Sequence, residues 1–489
     1  MIWAMLLIPT VAAALSLIVP GIFLRRMILV LSAAAHLAVV LSAWVSPAEP
    51  LLGGWLMLDQ TGLLFLTISS ILFLACAVYA AGYLAKELKQ KKQDYEEGLF
   101  FTNAPETVFC ACLSAFLAAM TLVTVSQHLG LLWVAMETTT LVSAPLIYFH
   151  RHRRSLEATW KYLLICSVGI AFALLGNFLL AIAASGQAPA ALSLNALIKL
   201  GPSLNQPWLK AAFLFLLVGY GTKMGLAPLH TWLPDAHSES PSVISALLSG
   251  ALLNCAFLGI LRSYQICLSA GLGSFCKPLL ILFGLVSMAW AAVFIFGQTD
   301  FKRMLAYSSV EHVGIMALGI GTGGAAAFGS LLHAVNHSLT KAMLFLLAGN
   351  ILAVYKTKSM AQVSGVLQKI PVTGVLWIAG FLAITGIPPF GLFLSEFTIA
   401  KSMFEQDRFG IAAAYLSLLA LIFIGMSPAF LRMAHGSRPD SLPDNSQPQT
   451  VFAVVPPLAL GVLTLLLGLF LPAPISKTLY EAAAALGGV

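Results

Sequence analysis

Charged residues are scarce in this sequence. Asp, Glu, Lys and Arg together make up only 9% of its 489 residues, whereas 59% of the residues are hydrophobic. A soluble protein of this length needs many more polar side chains to cover its surface. The composition therefore excludes a soluble globular protein and predicts a polytopic membrane protein.

The sequence also lacks the cysteine patterns that zinc sites and iron–sulfur clusters require. Only Cys110 and Cys112 lie close together, as a C-x-C, and no pairing has the spacing of a metal or cluster site. We therefore expect the cysteines to be small packing residues, and we expect no metal and no other cofactor in this chain. The seven cysteines are Cys76, Cys110, Cys112, Cys166, Cys255, Cys267 and Cys276.

Long apolar runs fill most of the chain. Runs of roughly 20 residues are long enough to span a bilayer as helices, and they predict an all-α fold with about 14 transmembrane helices. The first run carries no early charge and no small-residue cleavage pattern, so we expect a retained helix rather than a signal peptide. The predicted helices cover residues 2–24, 27–46, 62–85, 107–126, 128–149, 159–184, 208–232, 243–268, 278–298, 302–321, 327–352, 373–403, 410–433 and 452–473.

Two of these helices are interrupted by glycine and proline. Helix 7 is broken at Gly225 and Pro228, and helix 12 is broken within the segment GIPPFG, residues 386–391. Broken helices at corresponding positions are typical of membrane proteins built from two inverted repeats, although a chance pairing would look the same. We predict two inverted five-helix repeats, helices 4–8 and 9–13. The domain boundaries that follow are 1–106, 107–270, 271–435 and 436–489, for helices 1–3, the first repeat, the second repeat and helix 14.

Basic residues divide unevenly between the two sides of the predicted bundle. The positive-inside rule places the richer loops in the cytoplasm, and both termini on the periplasmic or outer side of a bacterial or archaeal cell membrane. The net charge of +7 reflects this topology. The basic run at 86–92 lacks interleaved aromatic residues, so we expect no nucleic-acid partner. The richer loops hold Arg25, Arg26, Lys86, Lys89, Lys91, Lys92, Arg151, Arg153, Arg154, Lys302, Arg303, Lys356, Lys358, Lys369, Arg432 and Arg438; the opposite loops hold Lys199, Lys210, Lys277 and Arg408.

Several ionisable residues lie inside the apolar runs. Glu137 is in the middle of helix 5, Lys223 stands at the break of helix 7, and Glu396 follows the break of helix 12. A lysine at the bilayer centre costs roughly 2.5 to 3.5 kcal/mol, so we expect Lys223 to serve an ion pathway. A nearby carboxylate would hold the lysine proton and its withdrawal would release it, so Glu137 and Lys223 could switch together. An ion pair that only fixes helix packing is the alternative, more so for Glu396.

His333, His337 and Lys341 follow one another at intervals of four residues in helix 11. They therefore share one helix face, and two imidazoles with one ammonium can carry protons. Metal binding by the two histidines has a suitable spacing, but no glutamate follows His333 and no third ligand is evident nearby. Histidines that only pack in the core are a further alternative.

His230, Asp235 and His237 lie at or past the end of predicted helix 7. Prolines at 234 and 241 flank this stretch. We expect a loop with a structural role there, and proton entry is the competing interpretation.

Four segments resemble the antiporter-like membrane subunits of respiratory complex I, of multisubunit sodium/proton antiporters and of group 4 nickel-iron hydrogenases. They occur in the order found in that superfamily, and the resemblance runs through helices 4–12. Within it, the run SESPSVISALLSGALLNCAFLGILR is most similar to component F of hydrogenase-4 and formate hydrogenlyase. The four segments are GTKMGLAPLHTWLPDAHSESPS, TDFKRMLAYSSVEHVGIMALGIG, LLHAVNHSLTKAMLFLLAG and GIPPFGLFLSEF.

The resemblance implies roles for individual residues. Those that match the superfamily's proton pathway are Glu137, Lys223, His333, His337, Lys341 and Glu396. One position departs: where several complex I subunits carry a lysine on helix 8, this chain has Asn254, which can hydrogen-bond but cannot hold a proton at neutral pH. Either water bridges Lys223 to the histidines at this point, or the chain conducts differently.

The expected function is a proton-translocating subunit of a redox-driven membrane complex. Its expected partners are other membrane subunits and, through them, a peripheral hydrogenase or dehydrogenase arm. The resemblance implies no flavin, iron–sulfur, nickel or quinone site here, so we expect no catalytic residues in this chain. A sodium/proton antiporter subunit without redox partners is the alternative; a permease for organic solutes would need a roomier cavity with more varied polar groups. The short tail after helix 14 predicts that the chain lacks the long lateral helix of one complex I subunit, which favours a subunit from the middle of the membrane arm or of the component F type.

Overall fold

The computed structural model describes residues 1–87, 92–93, 98, 100–185, 192–437 and 449–488. Lys89, Lys91, Arg438 and Val489, on which part of the predicted topology depends, lie outside these residues, as do the side chains of Lys86 and Lys92. The helices of the first half are α1 (Ile2–Ile18), α2 (Ile22–Ser42), α3 (Gln60–Lys86), α4 (Glu106–Val125), α5 (Leu129–Ile147), α6 (Arg153–Ala183), α7 (Leu194–Leu200), α8 (Gln206–Met224), α9 (Trp232–Glu239), α10 (Ser242–Leu247) and α11 (Leu253–Ser269). Those of the second half are α12 (Gly273–Ile295), α13 (Phe301–Thr322), α14 (Ala325–Tyr355), α15 (Val366–Lys369), α16 (Pro371–Ile384), α17 (Gly391–Glu405), α18 (Phe409–His435), α19 (Val451–Leu469) and α20 (Ala473–Ala484).

Short elements complete the described fold. A two-stranded antiparallel sheet pairs β1 (Lys92–Gln93) with β2 (Phe100–Phe101). Single 3-10 turns occupy Leu52–Gly54 and Gly201–Ser203, and a π turn at Leu248–Leu252 joins α10 to α11.

The all-α membrane architecture expected from the composition is confirmed. In the described part of the chain, 11 helical segments are long and apolar enough to cross a membrane, counting α10, the π turn and α11 as one. Every predicted transmembrane helix coincides with one helix or with a broken pair. Because α1 and α16 are apolar but shorter than 18 residues, the number of crossings stays a prediction.

Arg25 and Arg26 were expected in a loop, and this expectation is wrong. Pro20 and Gly21 end α1 early, and α2 begins at Ile22, so both arginines lie in the first turns of α2. Arg25 donates from Nε to the Ser16 carbonyl (3.1 Å) and so satisfies the end of α1. Arg26 pairs with Glu106 at the start of α4 at 2.8 Å. These arginines hold three helices together at one end of the bundle.

The break in helix 7 is confirmed, and it separates α8 from α9. Gly225 ends α8 with φ +86°, a left-handed conformation that glycine adopts without strain. The Trp232 indole donates to the carbonyl of Thr222 at 2.8 Å and ties the two half-helices together. The expected loop around Asp235 and His237 is wrong, because both residues lie in α9. The proline at 234 falls in the first turn of that helix, where proline is tolerated.

The break in helix 12 is confirmed as well. Helix α16 ends at Ile384 and α17 begins at Gly391. The Asn336 amide, on α14, donates to the Gly391 carbonyl at 3.0 Å and so satisfies a backbone group at the second half-helix. Gly386 lies inside the break, and a Cβ there would overlap the carboxylate of Glu396. The boundaries of the two repeats stay a prediction.

The centre of the bundle is formed by α11, α13 and α14. Almost all residues of α13 are buried, and so is most of α11 and α14. Helix α14 packs against α13, α17 and α10, and α8 packs against α6 and α11. Both helix breaks therefore adjoin this buried centre, where polar groups are shielded from lipid.

Candidate functional site

Lys223 lies in the last turn of α8 and is fully buried. Its ammonium donates to the hydroxyl of Thr140 on α5 (2.7 Å) and to that of Tyr162 on α6 (2.8 Å). The ammonium also lies 4.7 Å from the centre of the Tyr162 ring, close enough for a cation–π interaction. The Tyr162 hydroxyl is in turn 2.7 Å from that of Ser143. Hydroxyl groups from two helices thus surround the lysine.

Glu137 lies one helical turn before Thr140 on α5. Its carboxylate accepts hydrogen bonds from the hydroxyl of Ser167 (2.7 Å) and from that of Thr140 (3.4 Å). Within the described residues, no ion pair within 4.0 Å joins Glu137 to Lys223. The Thr140 hydroxyl therefore stands between the two charges, accepting from the lysine and donating to the glutamate. The expected direct pair is replaced here by a bridge of one hydroxyl.

Asn254 is the second residue of α11, which begins where the π turn ends. Its amide nitrogen donates to the Gly250 carbonyl (3.1 Å) and to the hydroxyl of Ser338 on α14 (2.7 Å). Its side-chain oxygen is buried and has no protein partner among the described residues. Since Ser338 follows His337 in the chain, Asn254 links the first half of the chain to the polar face of α14.

Lys341, His337 and His333 line the face of α14 that packs against α13, and all three are fully buried. The Lys341 ammonium donates to the Leu305 carbonyl (2.7 Å) and to the hydroxyl of Ser308. In the described part of the chain, neither ring nitrogen of His337 has a hydrogen-bond partner.

His312, on α13, joins these groups into a cluster. Its Nδ1 lies 2.9 Å from Nε2 of His333, and its ring centre lies 5.0 Å from that of His337. The other nitrogen of His333 is 3.0 Å from the hydroxyl of Ser395, on α17. Hydrogen bonds thus connect α13, α14 and α17 in one line.

Glu396 is the neighbour of Ser395 and lies at the far end of this line. Its side chain is 8% exposed and lies against Gly386 in the break of helix 12. Side-chain atoms of His312, His333 and Glu396 lie within 4.8 Å of one another. The structure therefore brings together four of the residues expected from the sequence and adds His312 to them.

The same three residues are relevant to metal binding, the alternative role of the histidines of α14. The third ligand that the sequence did not reveal is present, because His312 and Glu396 both approach His333. Two histidines and one glutamate form a set that Zn²⁺ binds in proteins. However, Nδ1 of His312 and Nε2 of His333 are already hydrogen-bonded to each other, at 2.9 Å. The arrangement as it stands suits proton exchange between the rings.

The residues expected at a proton entry are distributed over two environments. Asp235 forms ion pairs with Lys161 (2.9 Å) and with Arg303 (3.0 Å), which fits a structural role at the edge of the bundle. His230 is buried edge-on against Trp290. None of the bonds that the structure describes joins either residue to Lys223.

His237 is fully buried and stacks on Phe345 with ring centres 4.9 Å apart. Neither of its nitrogens has a hydrogen-bond partner in the described part of the chain. It lies within electrostatic range of Lys302 and Lys341, so it adjoins the second half of the polar line rather than Lys223. Lys302 itself is buried and donates to the carbonyls of Ser238 and Ser240 (3.1 and 2.6 Å) at the end of α9.

Sequence reasoning missed two kinds of residue. The hydroxyl groups of Thr140, Tyr162 and Ser308 gave no signal, because such residues are frequent in transmembrane helices. Glu311 and His312 did give one: they are an acidic residue and an imidazole inside the apolar run SSVEHVG, the same signal that identified Glu137.

This chain is similar to known membrane proteins in both sequence and fold. Residues 126–422 match the family described as NADH:quinone oxidoreductase/Mrp antiporter, TM. A hydrogenase-4 component F homolog of Methylacidiphilum infernorum is 38% identical over 376 residues, which cover 76% of this chain and 77% of that protein. The solved structure of an archaeal membrane-bound sulfane sulfur reductase shares the fold at a TM-score of 0.86 and 21% identity, over 100% of this chain and 98% of that one. A chain of respiratory complex I from Thermus thermophilus gives a TM-score of 0.76 at 25% identity, over 96% of this chain and 97% of that one.

The fold and the buried polar line define a polytopic, antiporter-like membrane subunit. The match over more than half of the sequence makes the family plain: the chain belongs to the NADH:quinone oxidoreductase/Mrp antiporter transmembrane family. The resemblance read from the sequence motifs is confirmed.

Proposed function

We propose that the chain is a proton-translocating membrane subunit of a redox-driven complex of the hydrogenase-4 or NADH-quinone oxidoreductase type. The observation that carries the proposal is the line of polar groups that starts at half-buried Glu137, continues through the buried Lys223, His333, His337 and Lys341, and ends at Glu396. Ionisable residues inside a membrane protein are costly, and where they form a series they serve ion or proton transfer. The chain makes no chemical bonds of its own.

The first half of the line works as a switch. In the described state, Lys223 is bound by two hydroxyls and is one hydroxyl away from Glu137. If the Lys223 ammonium moved into contact with the Glu137 carboxylate, the lysine would keep its proton, because a neighbouring negative charge favours the charged form of lysine. Return of the ammonium to the hydroxyls withdraws that stabilisation and frees the proton for transfer.

The middle of the line depends on water. Asn254 cannot take up a proton, but it presents a buried, unpartnered oxygen and a hydrogen bond to Ser338. A water molecule requires two or more polar partners to be stable in an interior. The Asn254 oxygen and the unpartnered nitrogens of His337 are such partners, and water between them would carry the proton across.

The second half of the line runs through side chains. Protons reaching His337 or Lys341 pass over the adjacent, hydrogen-bonded rings of His312 and His333 to Ser395 and Glu396. Each ring can take a proton on one nitrogen and release one from the other. His237, close to Lys302 and Lys341, would supply this half from the cytoplasmic side.

The partners follow from the function. The electron chemistry would take place in a peripheral hydrogenase or dehydrogenase arm, reached through neighbouring membrane subunits. The relative named as a hydrogenase-4 component F homolog supports a hydrogenase-type complex. We place the chain in the bacterial or archaeal cell membrane, with its termini on the periplasmic side.

A sodium/proton antiporter subunit without redox partners is the second candidate, because the family includes antiporters. Hard cations such as Na⁺ prefer oxygen ligands, whereas imidazole nitrogen suits protons and softer metals. The concentration of three histidines around Lys341 therefore favours protons as the transported ion.

The proposal is tested by replacing Lys223 with methionine, which keeps most of the volume and removes the charge. We expect the complex to assemble and to transfer electrons but to lose most proton translocation in sealed vesicles. Lys210→Met is the matched control: Lys210 lies on the same helix, near Phe275 at 5.6 Å, and outside the polar line. Equal translocation by the two variants would contradict the proposal.

A further inference from the structure

The two buried lysines are held in the same way. Lys223 donates to the hydroxyl of Thr140, which lies three residues after Glu137 on α5. Lys341 donates to the hydroxyl of Ser308, which lies three residues before Glu311 on α13. Residues three apart on a helix are neighbours on one face. In each half of the chain, a lysine is therefore bound to a hydroxyl next to a glutamate on the same helix face.

Glu311 is the member of this arrangement to which the pathway above gives no role. It is only 4% exposed and lies on the most buried helix of the bundle. Its carboxylate forms no hydrogen bond and no ion pair within 4.0 Å with any residue that the structure describes. Ionisable residues inside a membrane protein are costly and mark ion or proton pathways, so a purely packing role does not account for Glu311.

Lys341 can compensate this group, because its ammonium binds the hydroxyl of Ser308, one turn from Glu311 on the same face of α13. The two groups attract each other electrostatically, although the lysine is bound elsewhere on α13, to the Ser308 hydroxyl one turn away and to the Leu305 carbonyl nearly two turns away. The rise along α13 from Ser308 to Glu311 is about 4.5 Å, a distance that the Lys341 ammonium can cover when the side chain changes rotamer. If Glu311 and Lys341 formed a purely structural ion pair, their side chains would be in direct contact.

The end of the line also adjoins this part of α13, because Glu311 precedes His312, and side-chain atoms of His312 and Glu396 lie within 4.8 Å of each other. Glu311 and Glu396 are within electrostatic range of each other and repel when both are charged. The hydroxyl of Tyr415, on α18, is within electrostatic range of both carboxylates. It is buried and lacks a hydrogen-bond partner in the described part of the chain. Two carboxylates that oppose each other beside an uncommitted hydroxyl are suited to share one proton.

We propose that Glu311 is a further proton-carrying residue, the partner of Lys341, and that it passes protons between Lys341 and Glu396. This inference rests on the proposed function. The Lys341 ammonium gives its proton to the Glu311 carboxylate, leaving a neutral amine and a carboxylic acid. The acid then gives the proton to the Glu396 carboxylate, and Glu311 returns to its charged form. The second half of the chain thereby has its own glutamate–lysine unit, on the far side of the position where Asn254 cannot hold a proton.

The experiment compares Glu311→Gln, Glu311→Asp and Ser309→Ala in the whole complex, in sealed vesicles. Proton translocation is measured per electron transferred and per assembled complex, so that loss of folding does not count as loss of transport. We expect Glu311→Gln to reduce translocation at least roughly tenfold, as removal of a proton-transfer group does, and Glu311→Asp to recover part of it. Ser309→Ala, the matched control, removes a buried hydroxyl of α13 that bonds to the hydroxyl of Ser249 and not to Lys341, and it should retain translocation.

Lys223→Met, measured in the same series, separates this inference from the proposed function. Normal translocation by Glu311→Gln beside a defective Lys223→Met would overturn the role of Glu311 alone. Normal translocation by both variants would overturn the proposed function as well. If Glu311→Gln and Glu311→Asp only lower the amount of assembled complex, with translocation per complex unchanged, Glu311 is a structural residue and the inference is wrong.

Discussion

The Lys223 ammonium and the Glu137 carboxylate are joined through a single hydroxyl group, that of Thr140, and do not touch each other. Lys223 donates to Thr140 at 2.7 Å, and Thr140 donates to Glu137 at 3.4 Å. A direct ion pair would fix the lysine in its charged form. In the bridged arrangement the glutamate is close enough to attract the lysine, but the two side chains form no direct ion pair.

Replacing Thr140 with valine removes this bridge while keeping the shape of the side chain. A hydrogen bond to a charged group contributes about 1.5 to 3 kcal/mol, so we expect lower stability of the complex and roughly a tenfold or greater loss of proton translocation. Thr140→Ser keeps the hydroxyl and should stay close to the unmodified chain. Equal translocation by the valine and serine variants would show that the bridge has no part in transfer.

Asn254 offers a test of the water-dependent step. Asn254→Leu removes the polar partners that would hold water between Lys223 and His337, so we expect translocation to be blocked. Asn254→Lys introduces a group that can hold a proton and should leave the chain active. Asn177→Leu is the control, because Asn177 is also buried but bonds to the Leu129 carbonyl, outside the line. Full activity of Asn254→Leu would mean that protons cross elsewhere.

His312 is predicted to be as important as the histidines of α14. His312→Gln breaks the contact with His333 and leaves a side chain that does not titrate, so we expect at least a roughly tenfold loss of translocation. His230→Gln serves as the control, since His230 is buried against Trp290 and away from the cluster. The measurement is proton uptake by vesicles at matched electron-transfer rates. If His312→Gln took up protons as fast as His230→Gln, the His312 ring would have no part in the pathway.

The predicted topology can be tested with single cysteines at exposed described positions. Lys356, between α14 and α15, should be labelled from the cytoplasm, and Glu405, at the end of α17, from the opposite side. Background labelling should be low because all native cysteines except Cys112 are buried. Labelling of Lys356→Cys only from outside the cell would invert the orientation and with it the direction of the pathway.

Much of the fold could be predicted from the sequence. The apolar runs and the Gly/Pro breaks at residues 225 and 386 have direct physical causes, which are the thickness of the bilayer and the conformational limits of helices. The buried glutamates and lysines stand out for a similar reason, because a charge inside a membrane is costly. Glu311 and His312 carried the same signal and were missed.

The remaining features of the site depend on how helices pack. Thr140 and Tyr162 contact Lys223 only because α5, α6 and α8 meet at this point, and nothing in the local sequence distinguishes these hydroxyls from others. The helix at Asp235 was misread as a loop because the proline at 234 suggests a break, whereas a proline in a first helical turn continues the helix. His312, which is hydrogen-bonded to His333, lies on α13, 21 residues earlier in the chain, and only the packing of α13 against α14 brings the two rings together.

The central claim is that Lys223 takes up and releases a proton, and Lys223→Arg tests it most directly. Arginine keeps the positive charge but cannot release its proton in a protein. The measurement is the number of protons moved per electron pair by the intact complex in sealed vesicles. The account predicts that electron transfer continues while proton translocation is lost. Normal translocation by the arginine variant would contradict it, because the charge of Lys223 would then matter and its titration would not.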